Sequence, residues 1–580
     1  MQKRWLIKDA SNKEIVKQLQ KDLNVSEIIS EMLVHRGIES YEEAEKFFNP
    51  SLDELHDPFL MKDMDKAVAR VNQAITKEEK ILIYGDYDVD GTTAVSLFYG
   101  NLVTKYIRCE YYIPDRYLEG YGVSQKGIQY AIDNDFSLIV TLDCGVKAVE
   151  MTTMAKEAGV DMIICDHHTP GEELPNAIVL DPKRKDCSYP YDELSGCGVG
   201  FKLLQGLWGT NNWDQKELLQ QLDLLAISIG ADIVPITGEN RTLAFFGMKQ
   251  INESPRIGLS AMLNVAKKKA PLTLTDIVFT IAPRINAAGR MGDAKTAVQL
   301  LLSDNLSDAT RIAEEVQRSN EERRTIDEEI KEEALILLEE NLEHLPFANI
   351  VFKKGWHKGV IGIVASRLIE HRYRPTVVLT QVEENGLLTG SVRSIDGVNV
   401  YDVLESCSAL LEQFGGHFFA AGLSLKKENL GKFIQLFNEK VGEIVSEEML
   451  VPEQLLEAEM NFHDLFLKNE SLFEVPRIKR ILSRFEPHGP GNMKPVFVTR
   501  NVFIKDVRLL KGQHLKLSLF QPGYSNCVLN AIAFFRPDAY EFCNSGEPIE
   551  LVYTLETNEW NGKTTVQLNI KDLRPSLVVV

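Results

Sequence analysis

Closely spaced cysteines are missing from this chain. Its 580 residues hold eight, at positions 109, 144, 165, 187, 197, 407, 527 and 543, and none of the spacings reads as a zinc site or a disulfide framework, so reduced thiols are expected. Long apolar runs are missing too. Nothing approaches the roughly 20 uninterrupted apolar residues of a membrane span, and the first residues, Met1 to Asp9, carry no hydrophobic stretch of signal-peptide length. A soluble, cytoplasmic protein with no membrane partner is the expectation. Positive charge is in deficit. The 64 Lys and Arg against 84 Asp and Glu leave a formal net charge of −20, which excludes a grip on polyanions through overall charge but leaves room for a local basic groove. A chain this long exceeds one hydrophobic core, and about three or four domains are expected.

What the chain does have is a concentration of carboxylates where an apolar strand should end. Ile81 to Tyr84 is a strand candidate, and Asp86, Asp88 and Asp90 follow it within five residues, ahead of a helix expected over Thr92 to Thr104. Oxygen ligands at that density suit hard divalent cations; the plain alternative is an acidic surface turn. The pattern then repeats. A second strand, Ser137 to Leu142, runs into Asp143, and a third, Asp161 to Cys165, runs into Asp166, His167 and His168. Short strands alternating with amphipathic helices predict an α/β domain with a largely parallel sheet, in which the ends of neighbouring strands converge on one crevice. Asp232, inside the apolar stretch 224–235, needs either a cation or a salt-bridge partner in the core. Together Asp88, Asp90, Asp143, His167 and Asp232 would serve two cations ~3.5–4 Å apart, as in two-metal phosphoryl hydrolysis. His168 is open between metal ligand, orienting group and proton donor.

Further along, Asp304 to Leu345 reads as one long helix, with Ala309, Ile312, Ala313 and Val316 on an apolar stripe that resumes at Ile326 and Ile330. Its polar middle suits a solvated bridge between domains. Arg318, Arg323 and Arg324 there face either a nucleic-acid groove or an ordinary salt-bridged surface with the neighbouring glutamates. Gly390 to Ser394 and Gly415 to His417 join small residues to the donors Ser391, Arg393 and His417, a combination suited to phosphate. After residue 449 five strand candidates, 495–504, 514–520, 528–535, 549–556 and 564–570, predict an OB-type β-barrel, with a hairpin signal at Asn561 and Gly562. Phe520, Phe534, Phe535 and Trp560 are its candidates for base stacking, against the alternative that they fill the core.

Asp86 to Gly91, the separate Asp143 and the triplet Asp166, His167 and His168 closely resemble the motifs of the DHH phosphoesterase superfamily. The likeness is greatest to its bacterial branch of 5′→3′ exonucleases specific for single-stranded DNA, and continues through 114–122, 284–292, 355–367, 390–394 and 415–422. The resemblance implies a lead-in over 1–78 packed on a DHH domain at 79–303. A connecting helix at 304–345, a DHH-associated α/β domain at 346–448 facing the metal centre, and an OB-fold nucleic-acid-binding domain at 449–580 follow. It implies two divalent cations, Mn²⁺ or Mg²⁺, and a 5′ end and nearby phosphates held by Arg116, Arg290, Ser391 and Arg393. It also implies a role in DNA repair and recombination, with single-strand-binding protein and a helicase as partners of a monomer. Many relatives carry a histidine where this chain has Tyr84, so Asp86 either takes up that histidine's metal or only supports the loop. Two other readings stand beside this one. A hydrolase of short oligonucleotides or cyclic dinucleotides would not need the barrel. A non-catalytic single-strand-binding scaffold would have lost the metal-binding acids.

Overall fold

The computed structural model describes residues 3–9, 12–381, 386–466, 475–523, 527–560 and 562–576. It divides into two compact units, the first made of Trp5–Arg256, Lys269–Ala282 and Leu455–Val580, the second of Met1–Arg4, Ile257–Lys268 and Pro283–Gln454.

The first unit is built on a sheet of five strands, β1 (Lys80–Gly85), β2 (Cys109–Tyr112), β3 (Phe136–Leu142), β4 (Asp161–Cys165) and β5 (Ile178–Leu180). All four pairings are parallel, in the order β2-β1-β3-β4-β5. Continuous apolar runs such as Ile81 to Ile83 and Leu138 to Val140 are buried on both faces, as a helix-covered parallel sheet requires. The chain leaves β1 in one direction to form β2 and returns on the other side to form β3, so the strand order reverses beside β1. Open sheets place ligand sites at the carboxyl ends of strands flanking such a reversal. The strands expected at Ile81, Ser137 and Asp161 are all present. The helix expected from Thr92 begins earlier, as α1 (Val89–Lys105), because Asp88 caps it by accepting the Gly91 N–H at 3.0 Å. Asp90 therefore stands in its first turn. Two further helices matter for the site, α2 (Gly196–Thr210) and α3 (Leu222–Ala231).

The second unit carries α4 (Leu306–Glu340), capped by Asn305 and about 50 Å long. Its polar middle is not simply solvated. Asn320 and Asp327 are buried, and Asp327 pairs with Arg367 at 2.8 Å. A mixed sheet of β6 (Asn349–Phe352), β7 (Thr376–Thr380), β8 (Leu387–Arg393), β9 (Gln413–Gly416) and β10 (Ala420–Lys426) runs in the order β9-β10-β8-β7-β6, with α5 (Ile361–His371) packed against β7 and β8.

Five further strands belong to the first unit and close a barrel: β11 (Phe497–Leu510), β12 (His514–Phe520), β13 (Leu529–Ala533), β14 (Ile549–Trp560) and β15 (Lys563–Pro575). Closure is made by β11 against β14, with Phe497 opposite Tyr553. Leu19, Ile29, Met32 and Leu33 from the N-terminal helices share one core with Phe462, Phe485, Phe497 and Tyr553 of this region. Phe520 stacks on Phe503, whereas Phe534 and Phe535 are exposed beside His514. The side chain of Trp560 and residue Asn561 lie outside the described residues. No helix among the described residues is long and apolar enough to cross a membrane.

Candidate metal centre

Seven expected site residues, Asp86, Asp88, Asp90, Asp143, His167, His168 and Asp232, gather at the carboxyl ends of β1, β3 and β4. Their side-chain donors form three overlapping groups: Asp86, Asp88 and Asp143; Asp90, His167 and Asp232; and Asp143, His167 and His168. Within each group the donor atoms lie within 4.8 Å of one another. Asp143 and His167 each belong to two groups. His167 Nε2 stands 3.2 Å from Asp143 Oδ1, 3.5 Å from Asp232 Oδ2 and 3.9 Å from Asp90 Oδ2.

The local backbone explains how these groups are brought so close. Asp143 leaves β3 at φ 61°, a left-handed conformation that aspartate tolerates better than most residues, and its N–H donates to Cys165 O at 2.9 Å. Asp232 terminates α3, and the next residue, Ile233, sits at φ 63°, a rare setting for a β-branched side chain. Asp90 is anchored from outside its own segment. Its oxygens accept the N–H of Gly196 at 2.7 Å and of Cys197 at 2.9 Å, at the positive end of α2, and the Ser228 hydroxyl at 2.6 Å. A Cβ on Gly196 would come within 2.5 Å of Asp143 Cβ, so only glycine lets α2 approach this closely.

Ligand atoms buried without a hydrogen-bond partner are the strongest sign of what the centre takes. Both oxygens of Asp86, Asp143 Oδ1 and both ring nitrogens of His167 are buried without a hydrogen-bond partner. Burial, followed by the charge of the neighbouring aspartates, pushes the Asp86, Asp143 and Asp232 carboxyls well above the usual range, and raises Asp88. Burial lowers His167 to about 4, leaving a neutral imidazole with a lone pair to give. Anionic oxygens with an imidazole nitrogen are the donor set of divalent transition and alkaline-earth cations, and the residues present fit two such ions.

A buried acid whose pKa rises on folding costs the metal-free fold progressively as the pH climbs above the ordinary carboxyl value of about 4. His167 acts in the opposite sense, but only below its ordinary value of about 6.5. Above about pH 6.5 the EDTA-treated chain is therefore expected to lose thermal stability as the pH rises, and the rise in Tm on adding Mn²⁺ to grow, since metal binding releases the protons that burial retained. Melting curves with EDTA and with Mn²⁺ above that pH check both signs.

Asp166 does not join the ligand groups. Burial alone would raise its carboxyl, but hydrogen bonds from His168 and from the backbone N–H of Val146, His167 and His168 hold it down at about 2. Tyr84 does not face the carboxylates either. Its hydroxyl donates to Gly122 O at 3.0 Å and its ring stacks on Tyr112, so this chain uses the position to fasten a loop. Arg116 lies over the Tyr87 ring, 4.8 Å from its centroid, where its charge opposes the rise at Asp86.

The other expected binding residues lie in the second unit. Ser391 and Arg393 alternate on one face of β8, with the Arg393 guanidinium donating to Ser391 Oγ at 3.0 Å. Both crowd Gly362 at the start of α5: a Cβ there would stand 2.9 Å from Arg393 Nη2 and from Ser391 Oγ. Arg290 donates to Gly359 O, just ahead of that helix, at 2.7 Å. His417 is exposed on the turn joining β9 and β10; its N–H donates to Ala420 O, and Ala420 lies opposite Arg393.

Several participants lie where no sequence pattern points. Gly196, Cys197 and Ser228 fix Asp90 through contacts between residues more than a hundred positions apart, which no local pattern announces. Asp181 was detectable: it follows the apolar triplet of β5 as the other acids follow theirs. It is buried and turns to accept the Lys183 N–H at 2.7 Å.

Comparison with known proteins places these features in a family. The DHH family, N-terminal domain, matches residues 80–229, the DHHA1 domain matches 345–443, and the RecJ OB domain matches 475–572. The single-stranded-DNA-specific exonuclease RecJ of Bacillus subtilis strain 168 is 36% identical over 575 residues, 98% of this chain and 70% of that protein. Its counterpart from Escherichia coli is 33% identical over 570 residues, 94% of this chain and 96% of that one. The crystal structure of RecJ from Thermus thermophilus in complex with Mn²⁺ aligns with a TM-score of 0.81 at 26% identity, over 99% of this chain and 80% of that chain. The same protein in complex with Mg²⁺ aligns with a TM-score of 0.76 at 25% identity, over 99% and 79%.

Proposed function

Since the chain belongs to the RecJ family of DHH phosphoesterases, we propose that it is a metal-dependent exonuclease that degrades single-stranded DNA from its 5′ end to 5′-mononucleotides. The observation that carries this reading is the buried crowd of unpartnered donors on Asp86, Asp143 and His167 beside Asp88, Asp90 and Asp232. Those six side chains are the proposed ligands of two Mn²⁺ or Mg²⁺ ions. When bound, the ions supply Lewis acidity, lowering the pKa of water and neutralising charge that develops on the phosphate.

The chain's own residues do the rest. Asp90, held by α2 and Ser228, fixes the ligand geometry from behind. His168 is assigned a hydrogen bond to the reacting phosphate, its ring already oriented by Asp166. Arg290, Ser391 and Arg393, beside the N-terminus of α5, are assigned the terminal 5′ phosphate, because guanidiniums and a hydroxyl suit a dianion. Arg116 and His417 are assigned phosphates further along. The barrel supplies a platform for the strand beyond the cut nucleotide, which a hydrolase of dinucleotides would not require. The retained acids count against a non-catalytic scaffold. A monomer acting in the cytoplasm on strands supplied by a helicase and single-strand-binding protein, in repair and recombination, completes the reading.

A long oligonucleotide labelled at one end or the other, with and without a 5′ phosphate, tests polarity and end recognition together. The 5′ label should appear first as a mononucleotide, with none released in EDTA. Arg393→Ala should raise KM for the 5′-phosphorylated strand by roughly 10–100-fold, the worth of one charge-assisted bond, with a smaller change in kcat. Early release of the 3′ label, or cuts within the strand, would contradict the proposal.

A further inference from the structure

The two adjacent histidines are treated differently. His167 keeps both ring nitrogens clear of hydrogen bonds, whereas His168 is engaged at both. Its Nδ1 lies 2.7 Å from Asp166 Oδ1 and its Nε2 lies 3.0 Å from the Tyr121 hydroxyl. A phenol both donates and accepts, so it can satisfy Nε2 whether the imidazole is neutral or charged. The Tyr121 ring also meets His168 and Tyr87 edge-on, with centroids 5.9 and 6.3 Å apart, yet the residue is 58% exposed.

Tyr121 is placed there by its loop. Gly120 and Gly122 flank it at φ +86° and +81°, a backbone setting that glycine adopts without strain. Glu119 pins the preceding turn, accepting the Asp115 N–H at 2.9 Å, the Tyr112 hydroxyl at 2.9 Å and the Ser124 hydroxyl at 2.6 Å. On the other side the buried Tyr84 hydroxyl donates to Gly122 O at 3.0 Å and accepts the Ser124 N–H at 3.1 Å. A tyrosine at the end of β1 thus anchors the peptide next to Tyr121, and Tyr121 reaches His168.

We infer that Tyr121 is a positioning residue for His168. Its hydroxyl, set by the Tyr84–Gly122 anchor, fixes the plane of the imidazole and keeps Nε2 out of the metal ligand set, so that His168 meets the phosphate as a hydrogen-bonding group. Asp166 is buried and bonded several times over, whereas Tyr121, whose side chain is exposed away from the site, holds Nε2 by the one hydrogen bond of its hydroxyl. When substrate arrives the hydroxyl is the partner that gives way, and a phosphate oxygen replaces it on Nε2. This assignment rests on the phosphodiester hydrolysis proposed above.

Tyr121→Phe removes the hydroxyl and keeps the ring and the glycine-bracketed backbone. It should lower kcat by roughly 10–100-fold, the range for a group that orients another. KM for a 5′-phosphorylated single strand and Mn²⁺ affinity, read by electron paramagnetic resonance, should stay within about twofold. In a His168→Ala background the same substitution should change kcat by less than about twofold, since the hydroxyl acts only through the imidazole. Tyr84→Phe should lower kcat in the same direction by a smaller factor. A wild-type kcat in Tyr121→Phe, an equal loss in both backgrounds, or a weakened Mn²⁺ titration would each overturn the inference. If the unaltered chain failed to cleave single strands in Mn²⁺, the fault would lie with the proposed function instead.

Discussion

Asp143→Asn is expected to lower single-strand hydrolysis by on the order of 10³-fold or more, and at the same time to leave the metal-free chain at least as stable as the unaltered one. The two effects have one cause. Asp143 contributes to two of the three donor groups, so its loss weakens both proposed ion positions together. In the absence of ions the same carboxyl is buried among Asp90, Asp88 and Asp232 and is pushed far up, so ionising it works against folding. Asparagine is the suitable replacement because the backbone there is left-handed at φ 61°, where alanine would add about 1–2 kcal/mol of strain of its own. Hydrolysis in Mn²⁺ and thermal melting in EDTA, measured on one preparation, read both. A stability loss in EDTA comparable to that of an ordinary core substitution would mean that the site is assembled by bonds rather than held against repulsion.

Gly91→Ala should be equally damaging by a different route. A Cβ at that position would collide with the carbonyl oxygen of Asp86 and stand 2.6 Å from its nitrogen and 2.7 Å from its carbonyl carbon. These are backbone atoms of the turn that carries Asp86 and Asp88, so no side chain can swing aside. Relief requires moving the turn away from α1, and that separates Asp86 and Asp88 from Asp143. The expected outcome is loss of high-affinity Mn²⁺ binding and of hydrolysis, with destabilisation at or above the ~1–3 kcal/mol of ordinary overpacking. Gly209→Ala in α2 is the control. There the nearest atom to a new Cβ is Gln215 Nε2 at 3.6 Å, and alanine should be neutral or favourable by up to about 1 kcal/mol. Full activity in Gly91→Ala would show that the turn yields more readily than its contacts imply.

The parts of this architecture that could be read from the chain were those set by local pattern. Apolar runs ending in acids announced β1, β3 and β4 and, through the rule that parallel strands converge at their carboxyl ends, announced that Asp86, Asp143 and His167 would meet. The barrel strands were legible for the same reason, although β11, β14 and β15 extend beyond the expected ends, in β11 through Arg508 to Leu510, which are all exposed and carry no core-facing alternation. What was hidden depended on tertiary approach. No spacing rule connects Asp90 to Ser228, or predicts that Gly196 must be bare for α2 to reach Asp143. The buried Asn320 and Asp327 qualify the solvated picture of α4, because a polar residue and a paired polar residue look alike until the partners, Arg323 and Arg367, are in view. Tyr84 was legible as a departure from the metal-binding pattern; its service to the Tyr121 loop was not.

Carboxylates and an imidazole this close together make a site for two divalent cations. Titration of Mn²⁺ into the EDTA-stripped chain, followed by calorimetry and electron paramagnetic resonance, tests it most directly. Two ions should bind per chain with proton release, and Asp143→Asn should lose that binding. Absence of binding, or a titration that Asp143→Asn leaves unchanged, would contradict it.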